Sequence, residues 1–389
     1  MSTASWVLSA FSLLSLCIGL WQWFAARRFP LHQRLSPTAS ALPVTLLKPL
    51  KGADDATEPC LRSWLEQAHD APVQVLFGIA SKDDPAWTLA SRLLEQYPQV
   101  DARVHLCDQD LGINSKVSKL IQLARLAKHG ILVISDADVL APKDLVSQIT
   151  QPLHDPANGL THCFYRIANA STLAMRTEAV AVNADFWSQV LQSTQLKPMD
   201  FALGAVMAVR RSDLKSIGGF ESLADQLADD YYLGNKLAAR GLRIAQSRVV
   251  VDCFEPISGW GAVWRHQLRW ARTIRFCQPL PYFFSILSNV TLWSMLSLAV
   301  ANSLTTRLMA LTALVFRIGS ALDLQERLTQ ARRHLFYDWL VPIKDLMGAA
   351  IWGCAFFGST VTWRGVRYRV LRGGTLRPWE ASSERPSGS

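Results

Sequence analysis

The chain has 389 residues, half of them hydrophobic and only 18% charged, where a soluble domain carries about a quarter charged residues. The deficit lies in apolar runs at the two ends, which excludes a wholly soluble enzyme and an intrinsically disordered chain. The ordinary globular stretch from Pro43 to Cys253 excludes a polytopic transporter. The net charge of +9 is also localised: residues 261–389 carry 16 Lys and Arg against 6 Asp and Glu, leaving the rest nearly neutral. Basic residues beside apolar runs point to the bilayer surface and anionic lipid rather than to nucleic acid.

In chain order, Ser5 to Ala26 is a stretch of 22 uncharged residues, long enough for a membrane helix. It is too long for a signal peptide and lacks the basic start of one. Arg27 and Arg28 follow, so the positive-inside rule puts the next residues in the cytoplasm. The middle of the chain alternates strand-like and helical patterns. Strands are expected at Val44–Lys48, Val73–Ile79, Ala102–Leu106, Ile131–Ser135, Ala205–Val209 and Arg248–Asp252. Helices are expected at Pro85–Gln96, Ser115–Lys128, Ser171–Val182 and Asp229–Arg240. This is the pattern of a mainly parallel α/β sheet, with ligands at the carboxyl ends of its strands. No two of the seven cysteines stand in a C-x-x-C spacing, which argues against zinc or a disulfide framework and for a reducing, cytosol-facing domain.

Three apolar runs follow: Phe283–Leu304, Leu308–Ala321 with Arg317 inside it, and Trp339–Trp363 with Lys344 and Asp345. Two basic stretches, Arg327, Arg332, Arg333 and Arg364, Arg367, Arg369, Arg372, should share the cytoplasmic side. A hairpin of the first two runs, with the third re-entrant or interfacial, satisfies both. From Arg377 the Pro and Ser content reads as a disordered tail. The expected division is an anchor at 1–28, a cytosolic catalytic domain at 43–260, an interfacial segment at 261–282, membrane helices at 283–363 and a basic cytosolic tail at 364–389.

Four carboxylate or cationic features fall where ligands are expected. Strand Ile131–Ser135 runs into Asp136 and Asp138, whose side chains point the same way. They either cap the next helix or hold Mg²⁺ or Mn²⁺ on a diphosphate. Asp83 and Asp84 lie past the strand ending at Ile79, and one of them fits an N-cap before Pro85. Asp229 and Asp230 open a helix, as dipole complements or as a general base. Arg269, followed by Trp270, either contacts a leaving diphosphate or anchors an interfacial helix.

Together these features resemble the processive-type family 2 glycosyltransferases, and finer motifs resemble the related ceramide glucosyltransferase family, family 21. Leu47-Lys-Pro-Leu-Lys-Gly-Ala-Asp54 looks like its K-P-L-K-G-x-D opening, and Asp83-Asp-Pro-Ala86 like its D-D-P-A. Tyr97–Arg103, Gly112–Lys116 and Trp363–Thr375 also match, so the resemblance spans nearly the whole chain. One departure is His266, which stands where the family's Q/R-x-x-R-W begins. The Ala224–Tyr231 segment also looks like the bacterial hopanoid glycosyltransferase branch of the family.

The resemblance implies a GT-A type, Rossmann-like domain tethered by an N-terminal transmembrane helix and C-terminal membrane helices. The protein would be multi-pass, in a bacterial inner membrane, with the catalytic domain facing the cytoplasm. It implies inverting transfer from a UDP-sugar, UDP-glucose to a ceramide-type lipid, or alternatively UDP-GlcNAc to a hopanoid polyol. Lys48, Lys51 and Asp84 would line the nucleotide pocket, with Asn114 and Lys116 nearby. Asp136 and Asp138 would hold the divalent metal and the diphosphate. Asp230 would be the base, and Arg269 and Trp270 would close over the diphosphate and sugar. A processive polysaccharide synthase should have more spanning helices. A non-catalytic nucleotide-sugar scaffold should lack one of the acids, and a polyprenyl-phosphate sugar transferase lacks the K-P-L-K-G opening.

Overall fold

The computed structural model describes residues 3–36, 40–300, 303–332, 337, 339–363, 366–371 and 373–379. Arg333, Arg364, Arg372 and the end of the expected tail lie outside them. After an initial helix α1 (Thr3–Arg28), strands and helices alternate: β1 (Val44–Pro49), α2 (Thr57–Leu65), β2 (Val73–Ile79), α3 (Pro85–Glu95), β3 (Asp101–Leu106), α4 (Ser115–Leu126), β4 (Ile131–Ser135), β5 (Val139–Leu140) and α5 (Leu145–Thr150). Next come β6 (Asn158–Ile167), α6 (Leu173–Val180), a π-helical turn over Ala181–Phe186, α7 (Trp187–Thr194), β7 (Val206–Arg210), α8 (Arg211–Ser216), α9 (Asp229–Ala238) and β8 (Arg243–Cys253). The eight strands form one sheet in the order β3-β2-β1-β4-β7-β6-β8-β5.

The sheet is buried because its strands are apolar on both faces. In β4, Ile131 and Val133 enter one core with α2, α3 and α5, while Leu132 and Ile134 enter a second core with α4 and α9. A near-continuous apolar run is what a strand covered on both sides requires. The sheet is mainly parallel, with four of its seven strand pairings parallel, and it is mixed through β7 and β5. β1, β2, β3 and β4 run parallel, but β7 is antiparallel to both β4 and β6, and β5 to β8. β6 was not expected from the sequence, and it carries the pairing from β7 to β8.

After β8 come α10 (Trp260–Cys277), α11 (Pro279–Phe284), α12 (Val290–Ala299), α13 (Leu304–Thr329) and α14 (Leu340–Cys354). Helices α1 and α13, each of 26 residues, are long and apolar enough to cross a membrane. α1 is inside out by the standards of a soluble helix. Its buried positions include Ser5, Ser9, Ser12 and Ser15, while Trp6, Leu13 and Phe24 are exposed. The Ser9 and Ser12 hydroxyls meet those of Ser297 and Ser294 on α12 at 3.2 and 3.0 Å. Small polar residues between helices, with apolar residues facing outward, suit a lipid surround.

The expected apolar runs need revision. Phe283–Leu304 is broken: α12 starts afresh at Asn289, whose side chain caps Leu292 N, and the α11–α12 pair bends by 51°. Leu308–Ala321 is part of the longer α13, which continues through Arg317 because that side chain is paired. Trp339–Trp363 is a helix followed by a strand, since Gly358 at φ +87° turns the chain after α14. Of the tail expected from Arg377 only 377–379 are described, and Arg377 and Pro378 lie in the last strand. β9 (Thr360–Trp363), β10 (Val366–Val370) and β11 (Leu376–Pro378) form an antiparallel sheet.

α9 is set tightly against the loop before β7. A Cβ on Gly234 would lie 2.5 Å from both Ala202 N and Phe201 C. Backbone cannot yield as a side chain can, so Gly234→Ala is expected to destabilise the protein by about 1–3 kcal/mol. A lowered Tm in detergent-solubilised protein checks this; an unchanged Tm would mean that the loop is free to move.

Candidate active site

The end of β4 carries the two acids of the D-x-D segment, and the strands around it fix their geometry. Asp136 N donates to Ala205 O at 3.1 Å. Lys48, at the end of β1, does not line the cleft: it is 1% exposed, and its ammonium lies over the Trp64 ring at 4.9 Å. Its Nζ donates to Ser135 Oγ at 3.1 Å and to the Asp136 carbonyl. Burial pushes its pKa down to about 8. Lys48 therefore holds the D-x-D turn from beneath. Lys51, two residues past β1, is exposed and lines the cleft.

Asp84 caps α3, its Oδ1 accepting from Ala86 N at 2.9 Å. The same carboxylate accepts from Gly52 N at 2.8 and 3.1 Å, fastening the loop after β1 to α3. Gly52 sits at φ +72°, a conformation that glycine tolerates. Asn114 is fully buried and caps α4: its Oδ1 accepts from Lys116 N and Val117 N, and its Nδ2 donates to Gln226 O at 2.9 Å. Both side chains are thus engaged in holding loops.

Lys116 bridges an acid past the end of β4 and an acid at the start of α9. Its Nζ lies 2.7 Å from Asp136 Oδ1 and 3.3 Å from Asp229 Oδ2. Burial alone would lower its pKa, but Asp136, Asp229 and Asp230 together hold it above the ordinary lysine value. Asp230, beside Asp229 at the start of α9, lines the cleft. Burial and then Asp229 push its pKa up to about 6, against the downward pull of Lys116 and of the Tyr231 amide, which donates to Asp230 Oδ1 at 2.8 Å. A carboxylate poised there suits a general base.

Gly204 gives Asp230 its room. A Cβ at Gly204 would lie 2.7 Å from Asp230 Oδ2. The carboxylate can swing away, so Gly204→Ala is expected to leave Tm nearly unchanged yet lower kcat at least tenfold, since small misplacements of a reacting group cost about 10²-fold. A paired loss of Tm and kcat would mean that the clash is structural instead.

The acids fit a divalent cation completed by substrate. Asp138 is pushed up to about 7 by burial and by Asp136, the mark of a carboxylate short of positive charge. Asp136 keeps 39% of its side chain exposed beside Lys116. Two carboxylates with diphosphate oxygens are an ordinary Mg²⁺ donor set. Among the described residues no three His, Cys, Asp or Glu side chains converge as a self-sufficient metal cage.

Arg269 and Trp270 lie on α10 and line the same cleft. The Trp270 ring meets Phe186 at 6.0 Å and His266 at 4.8 Å. His266 Nδ1 lies 2.7 Å from Glu178 Oε1, and Gln267 Nε2 donates to the same oxygen at 2.8 Å. His266 thus fixes α10 to α6 through Glu178, a residue that nothing in the sequence marked. Glu255, also unmarked, lines the cleft with its pKa raised, chiefly by burial. The cleft opens into a cavity of about 1600 Å³ that extends from Asp136 and Asp230 to α1, α13 and α14.

The family model described as "Glycosyl transferase family 21" matches residues 7–376. Ceramide glucosyltransferase 3 of Caenorhabditis elegans is 23% identical over 228 residues, 57% of this chain and 48% of that protein. The ceramide glucosyltransferase of Komagataella phaffii is 31% identical over 115 residues, 28% of this chain and 22% of that protein. The chain thus spans about half or less of these relatives' length. A mannosyltransferase from Pyrobaculum calidifontis, solved in complex with GDP-Man and Mn²⁺, superposes with a TM-score of 0.54 at 21% identity. That superposition covers 90% of this chain and 99% of the mannosyltransferase, a likeness of fold.

Proposed function

The chain belongs to glycosyl transferase family 21, and from that premise we propose that it transfers a hexose from a UDP-sugar, UDP-glucose first, to the hydroxyl of a ceramide-type membrane lipid. Its fold is of the GT-A type, with a Rossmann-like mixed sheet. The observation that carries the reading is the shared cavity: acids at the strand ends and helices suited to lipid line one space. A donor headed by a diphosphate and an acceptor anchored in lipid meet at such a boundary. The catalytic unit is the segment 43–260, facing the cytoplasm, with α1 and the C-terminal helices as its tethers.

Asp230 accepts the proton of the lipid hydroxyl while that oxygen bonds to the anomeric carbon with inversion. The bond from that carbon to the diphosphate oxygen breaks, and its electron pair leaves with UDP. Lys51 and Arg269 face the diphosphate, and Trp270 covers the sugar. Asp84 and Asn114 keep the nucleotide-side loops in place. Asp136 and Asp138 would hold a divalent cation, Mg²⁺ or Mn²⁺, which supplies positive charge against the leaving diphosphate. Lys116 holds Asp136 and Asp229 in register.

Purified protein incubated with UDP-glucose or UDP-GlcNAc, against ceramide or a hopanoid polyol, tests the reading by mass spectrometry of the lipid fraction. A hexosylceramide is the expected product. An N-acetylhexosaminyl hopanoid would assign the protein to the other acceptor, and free UDP without modified lipid would overturn the lipid assignment.

A further inference from the structure

The same cavity also meets a second charged group. Arg317, on α13, is 8% exposed and donates through Nε and Nη2 to Asp345 of α14 and through Nη2 to Asp185, each at 2.8 Å. Lys344 contacts both of these acids, and Thr291 Oγ1 donates to Asp345 Oδ2. Two anions and two cations balance to zero. Ionisable residues on a helix apolar enough to span a membrane mark function more often than packing. Hydrophobic residues of the same volume would serve packing as well or better.

The network is open toward the cavity, which Asp185, Gln189, Arg317, Ser320, Lys344 and Asp345 line. Asp345 has both oxygens occupied. No described residue bonds Asp185 Oδ1 or Arg317 Nη1, although Asp185 is only 7% exposed. One acceptor, Asp185 Oδ1, and donors on Arg317 Nη1 and on the Lys344 ammonium, two of whose three N–H groups are taken, therefore remain with no net charge behind them. Asp185 also sits on the π-helical turn Ala181–Phe186, a distortion found most often at functional sites. Asn183 of this turn is bonded through its side-chain amide to Ile167 N and O. Phe186, next to Asp185, meets the Trp270 ring, so the turn joins the network to the wall of the reaction cleft.

We propose that Asp185, Arg317 and Lys344 form the acceptor-head subsite, holding an uncharged lipid head by hydrogen-bonding groups other than the hydroxyl that reacts. The head carries at least two such groups, an amide and a hydroxyl or several hydroxyls. A phosphate head is disfavoured, because Arg317 and Lys344 are already paired with Asp185 and Asp345 and no positive charge is left over to balance an anion. The inference rests on the lipid-acceptor reading above and adds which lipids are admitted and by what.

The test uses the full chain in detergent with both UDP-sugars and three acceptors: ceramide, a hopanoid polyol and a polyprenyl phosphate. The variants are Asp185→Asn, Lys344→Gln and the two together. Each single variant is expected to raise the acceptor KM about tenfold or more, the size of one lost hydrogen bond to a charged group, with the donor KM within about twofold of wild type. Asp185→Asn, left with a net positive charge, should also admit the polyprenyl phosphate as a competitive inhibitor. The double variant restores charge balance, so its Tm should recover while its acceptor KM stays raised. It carries the test if a single variant fails to fold. An acceptor KM that recovers with Tm in the double variant, or that never changes, overturns the proposal and leaves the network a packing device. Wild-type protein that binds donor yet modifies none of the three lipids overturns the lipid-acceptor reading itself, before any variant is read.

Discussion

Asp230→Asn is expected to lower kcat by about 10²–10⁴-fold, the usual contribution of a general base, while UDP affinity stays within about twofold. The amide keeps the shape of the carboxylate and its contact with the Tyr231 amide, so the fold and the donor site should survive. What is lost is the ability to take the proton. In the proposed mechanism Asp230 works only when ionised, and burial has moved its pKa to about 6. The rate should therefore fall as pH falls through about 6, which kcat/KM measured from pH 5 to 8 will show. An intact rate in the Asn variant would transfer the role to Asp229. A flat profile across that range would separate the observed pKa from catalysis.

Lys116→Met is the second large effect. It removes the ammonium that lies 2.7 Å from Asp136 and 3.3 Å from Asp229 and leaves these acids facing each other with Asp230 nearby. Breaking a buried ion pair from one side costs about 3–5 kcal/mol. Asp136 is partly solvated, so the low end, about 3 kcal/mol, is expected. Thermal unfolding in detergent measures it. The kinetic consequence has a definite sign. Lys116 lowers the pKa of Asp230, so its loss must raise that pKa and shift the acid limb of the rate to higher pH. A variant of unchanged stability with its limb still near 6 would show that another cation balances these acids.

Much of the sheet was legible because β1, β2 and β4 are apolar on both faces and bounded by turns, and the acids at the end of β4 and the start of α9 announced themselves by position. The parallel run of β1 to β4 followed from the alternation of strands and helices, but the reversal of β7 and β5 was not legible, since a period of two looks the same in parallel and antiparallel strands. β6 was hidden because Asn158–Ile167 mixes Gly, Thr, His and Arg with its apolar residues and alternates poorly. Spacing could not tell which lysine of the K-P-L-K run is buried: Lys48 ends a strand covered on both faces, while Lys51 lies past it. Asp84 offered both a cap and a ligand in the sequence, and the structure occupies it with one loop amide, Gly52 N, and one helix amide, Ala86 N. The pairs Glu178–His266 and Asp185–Arg317 join residues 88 and 132 positions apart, and no local pattern encodes such contacts.

The small C-terminal sheet sets the order in which this protein is completed. Leu376 N donates to Asp225 O and Leu227 N to Gly374 O, so the loop leading into Asp229 and Asp230 is fastened by almost the last described residues. At ribosomal speeds of about 5–20 residues per second, that loop leaves the ribosome on the order of ten seconds or more before its fastener does. In the interval α12, α13 and α14 are synthesised. A nascent chain therefore holds Asp229 and Asp230 behind a loop that is not yet fastened until α12, α13 and α14 have been made.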